Sequence, residues 1–102
     1  MITFVRTADF NDGTALPAIA WAIKVAAYVN GNYGTNISVQ QNVGGKINQA
    51  HWVATFESMN ESVDLGDKLL QDEGYHALLA EANDQGLFAA NSIVDNYYRT
   101  IG

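Results

Sequence analysis

An α+β fold with helices laid over one face of an antiparallel sheet is what this sequence predicts, and three observations carry it. Residues 2–8 and 49–57 alternate their side chains at the two-residue period of a strand. Residues 15–29 and 59–83 instead repeat apolar side chains at three- and four-residue steps, the period of an amphipathic helix. Within Gln49–Glu61 the strand signal runs directly into a helix start, because Ser58 and Glu61 have the spacing of a capping box.

The first strand, Ile2 to Ala8, sets Ile2, Phe4 and Arg6 against Thr3, Val5 and Thr7. Asn11-Asp12-Gly13 is turn chemistry, Thr14 is placed to cap the following helix, and Pro17 falls in its first turn, where a missing N–H costs little. That helix shows a stripe of Leu16, Ile19, Ala20, Ile23, Ala26 and Ala27, with Trp21, Val25, Tyr28 and Val29 as a second apolar flank. A helix so apolar all round calls for a second covering surface, such as a partner subunit. Asn30-Gly31-Asn32-Tyr33-Gly34 supplies residues that stop helices. A second strand over Thr35 to Val43 alternates Ile37, Val39, Gln41 and Val43 with Asn36, Ser38, Gln40 and Asn42.

Gly44-Gly45-Lys46 marks a turn, and the third strand follows with Trp52, Ala54 and Phe56 on one face and His51, Val53, Thr55 and Glu57 on the other. The second helical region carries Met59, Val63, Gly66, Leu69 and Leu70, then Tyr75, Leu78, Leu79 and Ala82, with a break or kink at Asp72-Glu73-Gly74. A last strand spans Ser92 to Ile101. The order β-α-β-β-α-β is the split βαβ arrangement of ferredoxin-like folds, a four-stranded antiparallel sheet in one domain over residues 1–102. A chain of this size buries roughly 65% of the surface it exposes when unfolded.

Composition narrows the function classes. The net charge of −6 is concentrated in residues 57–84, which carry eight acids and one base, and the five basic residues are scattered. Polyanion binding needs clustered Lys and Arg, so nucleic acid is not an expected partner. The acidic run reads as a solvated helix face. There is no cysteine, hence no disulfide or thiolate chemistry, which fits a cytoplasmic protein. The start Met1-Ile2-Thr3-Phe4-Val5-Arg6 lacks a signal-peptide pattern, and no segment reaches the roughly 20 apolar residues of a membrane span, so a soluble protein with no membrane partner is expected.

Every strand carries aromatic or β-branched residues at both parities, as in Phe4 and Val5, Trp52 and Val53, Tyr97 and Tyr98. Both sheet faces therefore call for cover, and the same sheet from a second copy supplies it, giving a two-fold homodimer. With that pattern the chain resembles the dimeric α+β barrel superfamily over nearly its whole length. The residues that carry the resemblance are His51-Trp52-Val53-Ala54-Thr55-Phe56-Glu57-Ser58 and Asp72-Glu73-Gly74-Tyr75, the latter similar to the Asp-Pro-x-Tyr or Asp-x-x-Phe step of antibiotic-biosynthesis monooxygenase relatives. NIPSNAP-like small proteins of unknown function belong to the same comparison.

Candidate chemistry is sparse. His51 and Trp52 are adjacent, so on a strand they point to opposite faces and at most one lines a given pocket. His51, His76 and Arg6 are the candidates for proton or charge handling, and Trp52, Tyr75 and Tyr97 those for shaping a ligand site. The bland readings weigh more: a sheet or surface histidine, a core indole, and core or interface tyrosines, with Tyr98 read like Tyr97. Arg6 shares its face with Ile2 and Phe4 and needs a partner, Glu57 or Asp95 by position, or a ligand anion; Arg99 poses the same question. Two histidines 25 residues apart give no metal ligand set. P-loop, dinucleotide-binding and nucleophile-elbow signatures are missing.

The expected function is binding of a small apolar or aromatic molecule between sheet and helices. The resemblance implies cofactor-free monooxygenation or isomerisation of it, and no cofactor is assigned. A non-catalytic ligand-binding or stress-associated dimer is the alternative. Haem binding is a further one: haem-degrading members of that superfamily place a histidine of the second helical region on the iron, a position that falls here near Leu79, three residues beyond His76.

Overall fold

Alternation along the two central strands decides the architecture. In the computed structural model, which describes all residues 1–102, β1 (Ile2–Asp9) and β3 (Gln49–Phe56) pair antiparallel, with Phe4 opposite Ala54 and Arg6 opposite Trp52. The buried side chains of β3 are Ala50, Trp52, Ala54 and Phe56, every second residue, so one face is packed. Edge strands β2 (Ser38–Gln41) and β4 (Val94–Arg99) complete an antiparallel sheet of order β2-β3-β1-β4. This is the ferredoxin-like α+β arrangement read from the sequence. The outer strands are shorter than the expected Thr35–Val43 and Ser92–Ile101: β1 and β3 continue past them, and side chains take over from the ladder, Asn36 Oδ1 accepting from the Thr55 N–H at 2.9 Å and Ser92 Oγ from the Asp9 N–H at 3.1 Å.

Helix α1 (Ala15–Tyr33) runs across the packed face. Its buried side is Ala18, Trp21, Ala22, Val25, Ala26 and Val29, which corrects the expected stripe: Leu16 is 82% and Ile23 56% exposed. The bulkier flank goes inward because Trp21 meets Trp52 edge-on at 6.2 Å and its Nε1–H donates to the Leu78 carbonyl at 2.8 Å. No second subunit is needed to cover Trp21 and Val25. The helix also outlasts Asn30, closing at Gly34, whose φ of 67° is left-handed and whose N–H bonds the Asn30 carbonyl. Thr14 sits at the N-cap, but its one hydroxyl proton is shared between the carbonyls of Asn11 and Leu87, both at 2.8 Å, and its oxygen accepts nothing from the helix.

The expected break is real and makes two helices, α2 (Met59–Leu70) and α3 (Glu73–Asp84). Ser58 Oγ accepts from the Glu61 N–H at 3.2 Å, while Glu61 reaches back one residue further than a standard box, to the Glu57 N–H. The α3 face of Leu78 and Ala82 joins the core. In contrast α2 buries only Ser62; Met59, Val63 and Leu70 of its expected stripe are exposed, and Leu65 and Leu69 are half-buried. The segment after α3 folds back under the core, with Leu87 1% exposed and Phe88 bridged to Phe10. No helix is long and apolar enough to cross a membrane.

Candidate functional site

The helices stand off the sheet between α2 and β4, leaving a cavity of about 770 Å³ in which 21 of 29 lining residues are hydrophobic. Small side chains on the packed face open it, since Ala8 and Ala54 line it beside Phe4, Arg6 and Trp52. Its floor is β1 and β4, its inner wall the aromatic cluster, and its roof α2, through Ser62, Leu65, Gly66 and Leu69. Trp21, Trp52 and Phe88 lie with ring centroids 5.5–6.2 Å apart. The indole of Trp52 is fixed by donation from Nε1 to the Ala22 carbonyl at 3.1 Å, so this wall is rigid.

Register places one ion pair on the floor. Asp95 is the β4 partner of Arg6, as one of the two sequence readings had it, and takes Nε–H at 2.8 Å and Nη2–H at 2.9 Å in a side-on fork. That hydrogen bond holds the guanidinium charged above its usual range; burial opposes it, and the charge of Asp95 and the neighbouring Tyr75 phenol support it. The Arg6 Cζ lies 5.7 Å from the Phe4 ring centroid, and Phe4 in turn packs on Tyr97 at 5.1 Å. Tyr97 Oη and Ser62 Oγ are 3.5 Å apart across the opening between floor and roof.

Five of the six candidate residues therefore meet at one cavity: Arg6, Trp52, Tyr75, His76 and Tyr97. His51 does not. It lies on the opposite sheet face, where the Thr7 hydroxyl meets Nδ1 at 2.7 Å and Nε2–H donates to Asn42 Oδ1. His76 is exposed at the cavity edge, its Nε2–H donating to the Leu70 carbonyl at 2.6 Å and so tying α2 to α3. Arg99 is exposed and in no ion pair.

Two features escaped the sequence reading. Phe88 sits in a connecting segment without periodicity, where only the Leu87-Phe88 pair after the Gly86 turn hinted at burial. The other is a carboxylate cluster at the start of α3. Asp72 caps the helix by accepting from the Tyr75 N–H at 2.9 Å, and also accepts from Tyr28 Oη at 2.6 Å and from the Tyr33 hydroxyl. The phenol donors hold Asp72 down at about 2, and the carboxylate pushes the Tyr33 hydroxyl up to about 12. A helix-cap pattern could have suggested Asp72, but its tyrosines lie 39 and 44 positions away.

No three His, Asp or Glu side chains converge as a metal site. The residues do not fit a haem iron either. Leu79 lines the cavity with a hydrocarbon side chain, and the Nε2 of His76 is already committed to Leu70.

No family model and no curated protein matches this sequence. Solved structures do share the fold. An uncharacterised NIPSNAP domain protein from Burkholderia xenovorans superposes with a TM-score of 0.82 at 10% identity, over 99% of this chain and 95% of that one. A NIPSNAP family protein from Agrobacterium tumefaciens gives 0.77 at 15% identity, over 98% and 92%. A candidate antibiotic biosynthesis monooxygenase from Deinococcus radiodurans gives 0.71 at 9% identity, over 100% and 94%. The chain is similar to both groups, and at these identities the similarity concerns the fold.

Proposed function

We propose that this chain binds a small, flat, mostly apolar molecule in the cavity between sheet and helices. The carrying observation is the cavity itself: its volume of about 770 Å³ is that of a small-molecule site, its wall is aromatic, and Arg6 is the one Lys or Arg among its lining residues. Binding takes precedence over catalysis because no lining histidine faces a carboxylate to form an acid–base pair, and His76 has its Nε2 engaged. The second reading, cofactor-free oxygenation or isomerisation of the same ligand, is supported by the candidate monooxygenase among the similar structures.

The neutral dye N-phenyl-1-naphthylamine tests the binding. Its fluorescence should rise on titration with the protein, and Gly66→Leu, which adds bulk at a cavity-lining glycine with no neighbour within 4 Å of its Cβ position, should weaken binding at least tenfold. A wild-type titration without enhancement refutes the reading. Oxygen uptake above the rate of heat-denatured protein, with an electron-rich hydroquinone, then separates enzyme from binding module.

A homodimer formed through the open sheet face belongs to the same proposal. Val5, Val53, Val94 and Tyr98 lie on that face among threonines, and Val94 and Tyr98 are 53% and 55% exposed in the single chain. Light scattering that finds only monomer at micromolar concentration rejects it.

A further inference from the structure

The Arg6 guanidinium offers the cavity more than charge. It has five N–H donors, of which Asp95 takes Nε–H and one Nη2–H, and no protein acceptor takes the other three. The side-on grip of Asp95 leaves the end-on edge open, where Nη1–H and the second Nη2–H run parallel. Rotation of the fork is blocked twice, by the bidentate Asp95 contact and by the Phe4 ring beside Cζ. The Tyr75 phenol stands next to the guanidinium and helps to hold its charge, so a ligand at this edge meets the Tyr75 hydroxyl as well as the Arg6 donors.

A pair of parallel donors selects a pair of coplanar acceptors. Resting on the binding reading above, we infer that the ligand is a flat ring system bearing two adjacent coplanar oxygens, with the open edge of Arg6 as its specificity determinant. An aromatic carboxylate and an enolised 1,3-dicarbonyl carry that same pattern. Asp95 largely offsets the charge of Arg6, and the chain as a whole carries −6, so recognition works through the geometry of the fork and admits a singly charged or neutral head better than a dianion. The hydrocarbon part of the ligand then lies along Phe4 and Tyr97 toward Trp52.

Displacement of N-phenyl-1-naphthylamine measures this directly with three competitors on one ring system. 2-Acetylnaphthalene has one oxygen, 2-naphthoate is its near-isostere with two, and 1-hydroxy-2-acetylnaphthalene adds a coplanar hydroxyl to the ketone. At least one two-oxygen competitor should bind wild type tenfold or more tighter than 2-acetylnaphthalene; which one gains identifies the carboxylate or the enolised dicarbonyl as the source. Arg6→Lys keeps the charge and loses the fork, and it should erase the preference, as should Arg6→Met combined with Asp95→Asn, the preference being read as the ratio of competitor affinities within each variant. Equal affinities for the three competitors, or a preference that survives Arg6→Lys, overturns the inference while dye binding leaves the cavity reading standing. Absence of dye binding to wild type overturns both.

Discussion

Replacing Gly74 with alanine places a methyl carbon 2.2 Å from Tyr28 Oη and 2.8 Å from its Cζ, where ordinary contact begins near 3.4 Å. The ring must therefore retreat by about 1.2 Å, the difference between 3.4 and 2.2 Å. A retreat of that size stretches the 2.6 Å bond from Tyr28 to Asp72, the residue that caps α3. Overpacking of this kind costs about 1–3 kcal/mol, and alanine returns at most about 1 kcal/mol in helix propensity. That leaves about 0–2 kcal/mol, and the weakened Tyr28–Asp72 bond adds about 1 kcal/mol, for a net loss of roughly 1–3 kcal/mol, or roughly 4–24 °C in Tm for a domain of this size. Gly66→Ala is the internal standard, because its added Cβ meets nothing within 4 Å and the position is mid-helix, so the same thermal scan should move upward. Tyr28→Leu combined with Gly74→Ala should destabilise less than the sum of the single changes, since the clash has one partner. A Gly74→Ala protein as stable as wild type, or strict additivity with Tyr28→Leu, refutes the steric argument.

Two further outcomes follow from the contacts of Asp72, and a third from burial. Asp72 has its pKa lowered from 3.8 to about 2, so its stabilising contribution is present above pH 3.8 and disappears as pH falls toward 2; urea midpoints for Asp72→Asn should show a shallower acid limb than wild type. The Tyr33 hydroxyl is shifted the other way, from 10 to about 12, so it contributes below pH 10 and fades as pH rises through 12; ultraviolet titration should return it toward 10 in Asp72→Asn. Leu87→Ala, at a side chain 1% exposed, should cost about 2–5 kcal/mol in urea unfolding, whereas Leu16→Ala at 82% exposure should stay within about 0.5 kcal/mol. A large loss at Leu16 would restore the discarded helix stripe.

The parity of β3 and the Ser58 cap were legible because both are local: alternation and capping spacing involve residues within a few positions of each other. Element order followed from them, and so did the separation of His51 from Trp52. The inward face of α1 was not legible, because Leu16, Ile23 and Ala27 satisfy helical spacing as well as Trp21, Val25 and Val29 do, and only contact with Trp52 and Leu78 chooses between them. Arg6 announced its need for a partner through an odd charge on an apolar parity, with Asp95 one of two positions considered. The cavity, however, depends on where helices stop short of a sheet. Residues such as Phe88 and Ser62 enter it from segments with no pattern that points there.

The unequal anchoring of roof and floor sets a kinetic character for the cavity. Beneath lies a hydrogen-bonded sheet locked by two indoles; above lies α2, which contributes one buried residue, Ser62, and is tied at its end by His76. Such a helix opens at a free energy well below that of the whole domain, so its amides should exchange with solvent long before those of β1 and β3. A ligand bound as proposed would then enter and leave by excursions of one helix, on a clock independent of global unfolding. Residence time becomes a property of α2 as much as of whatever rests beneath it.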